Sequence, residues 1–219
     1  MTKDENITKN IWKILDRNPS ITRNLSLGII SLSALARYLI KEEKIDATLD
    51  SVISAIRRYK IETYEKIFEN ARKVIKKTTV ISTRSPLINI SVVKDTEVQI
   101  KLPQLFSIIH YNTGDVLRII QGEGSIKIIV DTKNLKKIVD LFSEKNILKI
   151  DQKLGEITIH MHPNGKYTPG VLALLSNELA LNDVNVIEAM SCFPEWIWFV
   201  DENDLQKAYN VLYNLWKDS

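Results

Sequence analysis

From Thr78 onwards the sequence passes through strand, helix, strand, strand, helix and strand, then begins the same order again and stops at Ser219 one strand short. In the first round, residues 97–102 read as a strand closed by Pro103, and 105–109 as a short helix. Strands at 116–120 and 126–130 flank Gly122 and Gly124, a helix over 134–142 carries Leu135, Ile138, Val139 and Phe142 in phase, and 147–150 is the closing strand. The second round has a strand at 156–161 and a helix opened by Pro169, with Val171, Leu172, Leu175, Leu179 and Ala180 as its buried stripe. Strands at 185–190 and 195–200 follow, then a helix capped by Asn203 or Asp204 that carries Leu205, Ala208, Leu212 and Leu215. A sheet one strand short has to borrow one, and 88–93, a strand surplus to the first round, is expected to cross over and complete the second.

The N-terminal third has a different pattern and a different charge. Residues 1–78 hold 16 Lys and Arg against 10 Asp and Glu, whereas the remainder holds 14 against 17, out of 30 and 27 in the whole chain. A basic segment on a mildly acidic remainder suits a polyanionic partner. Ile7, Ile11, Trp12, Ile14 and Leu15 recur at helical spacing until Asn18-Pro19-Ser20. Ser31 or Ser33 caps a second helix over 32–41, and Asp46 or Thr48 a third that runs to 60 on Leu49, Val52, Ile53 and Ile56. Residues 31–39 followed by 48–59 resemble the paired helices of winged-helix regulators. That likeness implies duplex DNA as a partner, with Arg37, Ser51, Ser54, Arg57 and Arg58 as the contacts and Ala55 on the same exposed side. Asp50 near the start of the third helix opposes phosphate, and no hairpin wing is legible, so a three-helix module docking on a protein is the other reading. Ile61, Tyr64, Ile67, Phe68, Ala71, Val74 and Ile75 form a stripe over 61–77, which pairs two copies as a dimerisation helix or packs on its own chain.

Thr168-Pro-Gly-Val-Leu-Ala173, followed by Leu179-Ala-Leu-Asn-Asp-Val-Asn-Val-Ile187, a strand, an acidic turn and a helix, resembles the ACT domain, a βαββαβ module that regulates amino-acid metabolism. The likeness covers 155–217, while 96–151 is similar in element order alone and lacks the Pro-Gly. A tandem pair with a borrowed strand is similar to the regulatory region of aspartokinases, and a helix-turn-helix-like segment ahead of tandem ACT units resembles uncharacterised archaeal proteins. The implied fold is α+β: a helical domain at 1–60, a connecting and dimerisation helix at 61–82, and two ferredoxin-like units at 83–152 and 153–219. The resemblance also implies an amino-acid effector at an interface between units, held by Thr168, Gly170 and Val171 in the turn and by Asn185 on the strand. A Pro-Gly turn lets a ligand approach the backbone, and the free N–H groups of a first helical turn suit a carboxylate.

Other chemistries find little support. The single cysteine, Cys192, forms no internal disulfide and no cysteine zinc cluster. His160 and His162 lie two apart, on one face of a strand, but no third ligand is near them in sequence. No Ser/His/Asp arrangement, phosphate loop or dinucleotide glycine motif is present, so neither catalysis nor a cofactor is expected. No apolar run reaches the ~20 residues of a membrane span, and the first residues lack a secretory core, which places the chain in the cytoplasm. Trp196 and Trp198 alternate with Ile197 and Phe199, so both faces of that strand must be covered, one by helices and the other by a second sheet. The expected protein is an amino-acid-responsive transcriptional regulator. Its rival is a regulatory subunit that docks on an amino-acid biosynthetic enzyme without touching DNA.

Overall fold

Three helix starts in the N-terminal unit, Met1–Arg72, follow from local chemistry. Pro19 sits in a first turn, where a missing N–H costs nothing, and the Ser31 and Thr48 hydroxyls accept from the N–H groups of Ala34 (3.4 Å) and Ser51 (3.3 Å). The computed structural model describes residues 3–59, 62–78 and 80–218. Its first helices are α1 (Lys3–Asp16), α2 (Pro19–Ser26), α3 (Leu32–Glu42) and α4 (Leu49–Arg57), and α5 (Glu62–Ile75) runs across the boundary between the two units. Asn18-Pro19 therefore separates two helices, where the hydrophobic pattern alone suggested an end to helix. Ile11, Leu15, Leu35, Ala36, Leu39, Val52 and Ile56 form the unit's core. Trp12 Nε1 donates to the Ala55 carbonyl (2.9 Å), the Tyr59 hydroxyl donates to Asp16 (2.5 Å), and the two rings meet edge to face, binding α4 to α1. Burial, with the Asp16 hydrogen bond behind it, pushes the Tyr59 hydroxyl up to about 12. In the stripe over 61–77, Ala71 and Ile75 are buried; Ile61 and the Tyr64 side chain lie outside the described residues.

The second unit, Lys73–Ser219, is built on one six-stranded sheet. Along the chain come β1 (Val80–Val93), α6 (Thr96–Lys101), α7 (Leu105–Ile108), β2 (Leu117–Gln121), β3 (Ser125–Asp131) and α8 (Leu135–Val139). They are followed by β4 (Ile147–His160), α9 (Val171–Leu181), β5 (Glu188–Cys192), β6 (Glu195–Asp201) and α10 (Leu205–Asp218). The order across the sheet is β2-β3-β1-β4-β6-β5. β1 and β4 pair antiparallel from Val80 opposite His160 to Val92 opposite Ile147, with a register shift between Arg84 and Leu87. β3 pairs with residues 87–93 of β1, whereas β6 pairs with residues 154–160 of β4. Each long strand thus serves both halves of the sheet.

This pairing corrects three expectations. A strand does cross to complete the second half, but it is residues 80–84 of β1, opposite 156–160, while 88–93 stays in the first half against β3. Residues 147–150 and 156–161, expected as separate strands, are parts of the continuous β4 up to His160. Residues 97–102, expected as a strand, form α6 and the turn after it. The Asp95 carboxylate caps that helix by accepting from the Val98 N–H (2.8 Å), and Glu97 pairs with Lys101 one turn later (3.0 Å). A repeat invisible to hydrophobic periodicity marks the same twofold order. Asp131 and Asp201 stand opposite Leu87 and Leu154, and each is followed by a short 3-10 turn and a helix that starts with leucine, Leu135 or Leu205.

Both faces of the sheet are covered. On the helix side, Ile88, Ile90, Ile126 and Ile128 pack with Val98, Leu105 and Ile138 in the first half. In the second, Ile157, Ile159, Trp198 and Val200 are buried, as are Val171, Leu175, Leu179 and Leu212 of the helices. On the other face Leu87 and Ile129 share one cluster with Leu154, Ile197 and Phe199, so the second sheet required by the Trp196–Phe199 pattern is the chain's own other half. Polar groups cross the same seam. Arg118 on β2 donates twice to Glu156 on β4 (3.2 and 3.0 Å), Thr158 adds a third bond to that carboxylate (3.0 Å), and Lys127 on β3 pairs with Glu188 on β5. Burial works against the Arg118 charge, but the Glu156 hydrogen bonds and the pull of Glu156 and Glu195 outweigh it and raise its pKa. A fragment of residues 73–219 should fold, whereas 87–219 leaves the 156–160 edge of β4 unpaired and should aggregate. A well-dispersed NMR spectrum from the shorter fragment would show that the 80–84 strand is dispensable.

Candidate functional site

The chain leaves β4 at His160, makes a 3-10 turn over Pro163–Tyr167 and enters α9 through Gly170. Gly170 is left-handed, at φ 88° and ψ −14°, a conformation that costs a residue with a Cβ. No side chain caps α9. The Thr168 hydroxyl instead donates backwards to the Asn164 carbonyl (2.8 Å) and holds the turn together.

Between this turn and the β5–β6 hairpin lies a cleft of about 510 Å³. Thr168, Pro169, Gly170 and Leu172 line one side; Ala189, Met190, Ser191, Trp196 and Trp198 line the other, with Gly165 and Lys166 completing it. The two indoles lie 5.9 Å apart at 50°. Lys166 Nζ stands 4.7 Å from the centre of the Tyr167 ring and 5.0 Å from that of Phe193, a cation held by two exposed aromatics.

Of the residues expected to hold an effector, Thr168 and Gly170 line the cleft and Val171 and Asn185 do not. Val171 is fully buried, and its N–H is directed to the Thr168 carbonyl (3.5 Å). Asn185 is exposed and precedes β5, which starts only at Glu188. The strand begins late because the Val184 N–H returns to the Leu179 carbonyl (3.0 Å) to close α9, and Ile187 then joins the sheet through Phe199 (2.8 Å). Leu172 and Ala180, expected in the buried stripe of α9, are exposed, and Leu174 is buried in their place. The displaced Leu172 is the signal that was missed: an apolar residue half out of the core, beside a Pro-Gly turn, marks a cleft wall. The tryptophan pair was visible in the sequence, but its position beside that turn depends on the order of the strands.

In the helical unit, Arg37, Ser54, Arg57 and Arg58 are exposed and Ser51 is half-buried, with its hydroxyl hydrogen-bonded to Thr48. Two features differ from the expected DNA-reading face. Ala55 is buried, its carbonyl taken by Trp12, and Arg58 is held by the Ser54 carbonyl (3.3 Å) and by Thr8 on α1 (3.1 Å). His160 and His162 do not share one strand face, because β4 ends at His160; His160 pairs with Glu195 (3.3 Å), and His162 Nδ1 accepts from the Asn164 N–H (3.3 Å). Among the described residues no three His, Cys, Asp or Glu side chains gather as a metal site, and no helix is long and apolar enough to cross a membrane.

No protein-family model matches the chain, and no curated protein matches it in sequence. Solved structures do match in fold. The regulatory subunit of aspartate kinase from Thermus flavus superposes with a TM-score of 0.52 at 12% identity, over 63% of this chain and 97% of that one. The ligand-free regulatory subunit from Thermus thermophilus gives 0.51 at 12% identity over the same shares. The aspartate kinase of Synechocystis gives 0.51 at 12% identity, over 64% of this chain but 27% of that one. The covered share exceeds the whole of Met1–Arg72, so the likeness draws on the sheet unit. The chain therefore contains an α+β unit with the fold seen in aspartate kinase regulatory subunits. Replacing Gly170 with Ala should lower stability in chemical denaturation by about 1–2 kcal/mol, the cost of a Cβ in the left-handed region. An unchanged unfolding midpoint would show that the turn does not need that conformation.

Proposed function

We propose that the protein is an amino-acid-responsive regulator and not an enzyme. In this reading the sheet unit is a tandem pair of ACT-like sensors at 83–152 and 153–219, interlocked through β1 and β4. The helical domain at 1–60 acts on the target, and 61–82 joins the two in a homodimer. One observation carries it: the N-terminus of α9, capped by no side chain, faces a cleft of about 510 Å³, a size suited to a small molecule. The corresponding helix of the first half, α6, has no such vacancy, because Asp95 already caps it. The effector carboxylate sits in this cleft at the Thr168–Gly170 turn and Lys166, beside the start of α9. A thermal-shift screen of amino acids at millimolar concentration tests this, since a ligand that binds only the folded state raises the midpoint. A protein with no response to any of them would be a dimerisation scaffold.

For the output, duplex DNA is the leading partner, through Arg37, Arg57, Arg58, Ser51 and Ser54 on α3 and α4. Effector binding changes the output only by preferring one arrangement of the dimer. A specific observation supports the rival, a regulatory subunit docking on a biosynthetic enzyme: Asp50 is exposed near the start of α4 and Arg58 is tethered to Thr8, which thins the cationic face. Salt dependence separates the two. If Arg37 and Arg57 contact phosphates, replacing both with Ala should weaken duplex binding and flatten its log–log salt slope by about two, at roughly 0.9 per phosphate. Absence of duplex binding at low salt would leave the docking reading.

A further inference from the structure

The cleft has one charge and an aromatic wall. Among the described residues, Lys166 is the only charged one that lines it, and no Asp or Glu does. A ligand with a cationic side chain therefore finds no counter-charge there. A ligand with two carboxylates can satisfy one at Lys166, leaving the other against Trp196 and Trp198, where an unpaired charge is costly. The wall itself is apolar: the two tilted indoles line the cleft together with Leu172, a leucine 52% exposed. Such a slot accepts a flat apolar group by offset or edge contact.

Lys166 supplies the second half of the recognition. Its ammonium is poised over Tyr167 and Phe193, which are 75% and 63% exposed, and these rings fix a flexible side chain at the cleft without neutralising its charge. The Thr168 and Ser191 hydroxyls lie in the same cleft and can accept from a ligand ammonium. We infer that the effector is an aromatic amino acid, with its carboxylate at Lys166 and its ring against Trp196 and Leu172. This rests on the reading of the cleft as the effector site and narrows the ligand class.

The test uses the intact protein, calorimetry and intrinsic tryptophan emission, with L-phenylalanine as the probe. Phenylalanine should bind and change the emission, and phenylalaninamide, which lacks the carboxylate, should bind about tenfold more weakly or worse. Lys166→Glu and Leu172→Glu should each weaken phenylalanine by a similar factor, and Lys166→Arg should retain it. Both positions are exposed, so an unchanged thermal midpoint without ligand will confirm that the variants fold. If aspartate, threonine or lysine binds instead, and Leu172→Glu abolishes that binding, the ligand class is overturned and the effector cleft stands. If phenylalanine binds both Glu variants as well as the unaltered protein, the inference fails because the site lies elsewhere. Absence of binding by any of these amino acids overturns the inference and the sensor reading together.

Discussion

The antiparallel pairing of β1 and β4 is the constraint on which the rest of the sheet unit depends. Fourteen-residue strands are long for a domain of this size, and each is shared: one end of each sits in the first half of the sheet and the other end in the second. The register shift between Arg84 and Leu87 falls where the strand passes from one half to the other. Such irregularities bend a strand and increase its twist. Across the second face, Ile129 of β3 shares one cluster with Ile197 and Phe199 of β6. Neither half is a closed unit without the other, because each takes its fourth strand from a segment that begins or ends in its neighbour.

Closing the sheet on itself places polar groups in a seam that is otherwise apolar. Glu156 is 2% exposed, and its carboxylate is fully engaged by Arg118 and Thr158. Such a pair adds little net stability over well-packed apolar residues, yet removing one partner typically costs about 3–5 kcal/mol. Its effect is therefore on geometry: Arg118 on the edge strand β2 reaches Glu156 only when the two halves are stacked in this register. Lys127 and Glu188 fix the same alignment at β5. Glu188 immediately precedes Ala189 and Met190, which line the cleft, so the seam positions one of its walls.

Local chemistry was legible in the sequence wherever one element decided the outcome. Ser31 and Thr48 cap the helices assigned to them, the Pro-Gly turn opens α9, and the apolar faces of residues 195–200 demanded a second sheet. The errors arose where local capping outweighed the hydrophobic period or where a distant partner decided. A period of two over 97–102 suited a strand, but Asp95 and the Glu97–Lys101 pair favoured a helix. Which half of β1 crosses over depends on pairing with β3 and β4, and the break at Ser85-Pro86 hid the continuity of the strand. Ala55 looked exposed until Trp12, 43 residues away, covered its carbonyl. Lys166, Leu172 and the indoles come together only through the strand order, so the cleft was legible as a turn and not as a wall.

The two halves share a path but not a site, and the difference lies in one side chain. Where β1 leads into α6, Asp95 supplies its own carboxylate to the Val98 N–H, over a connection of two residues. Where β4 leads into α9, the connection runs from Met161 to Gly170, and at the capping position Gly170 has no side chain to offer. An internal carboxylate satisfies the helix start in the first half. In the second no side chain takes that place, and the longer connection carries Lys166 and Thr168 into the cleft. The cleft therefore opens in one of the halves, while the other, already capped, braces the sheet through Arg118 and Lys127.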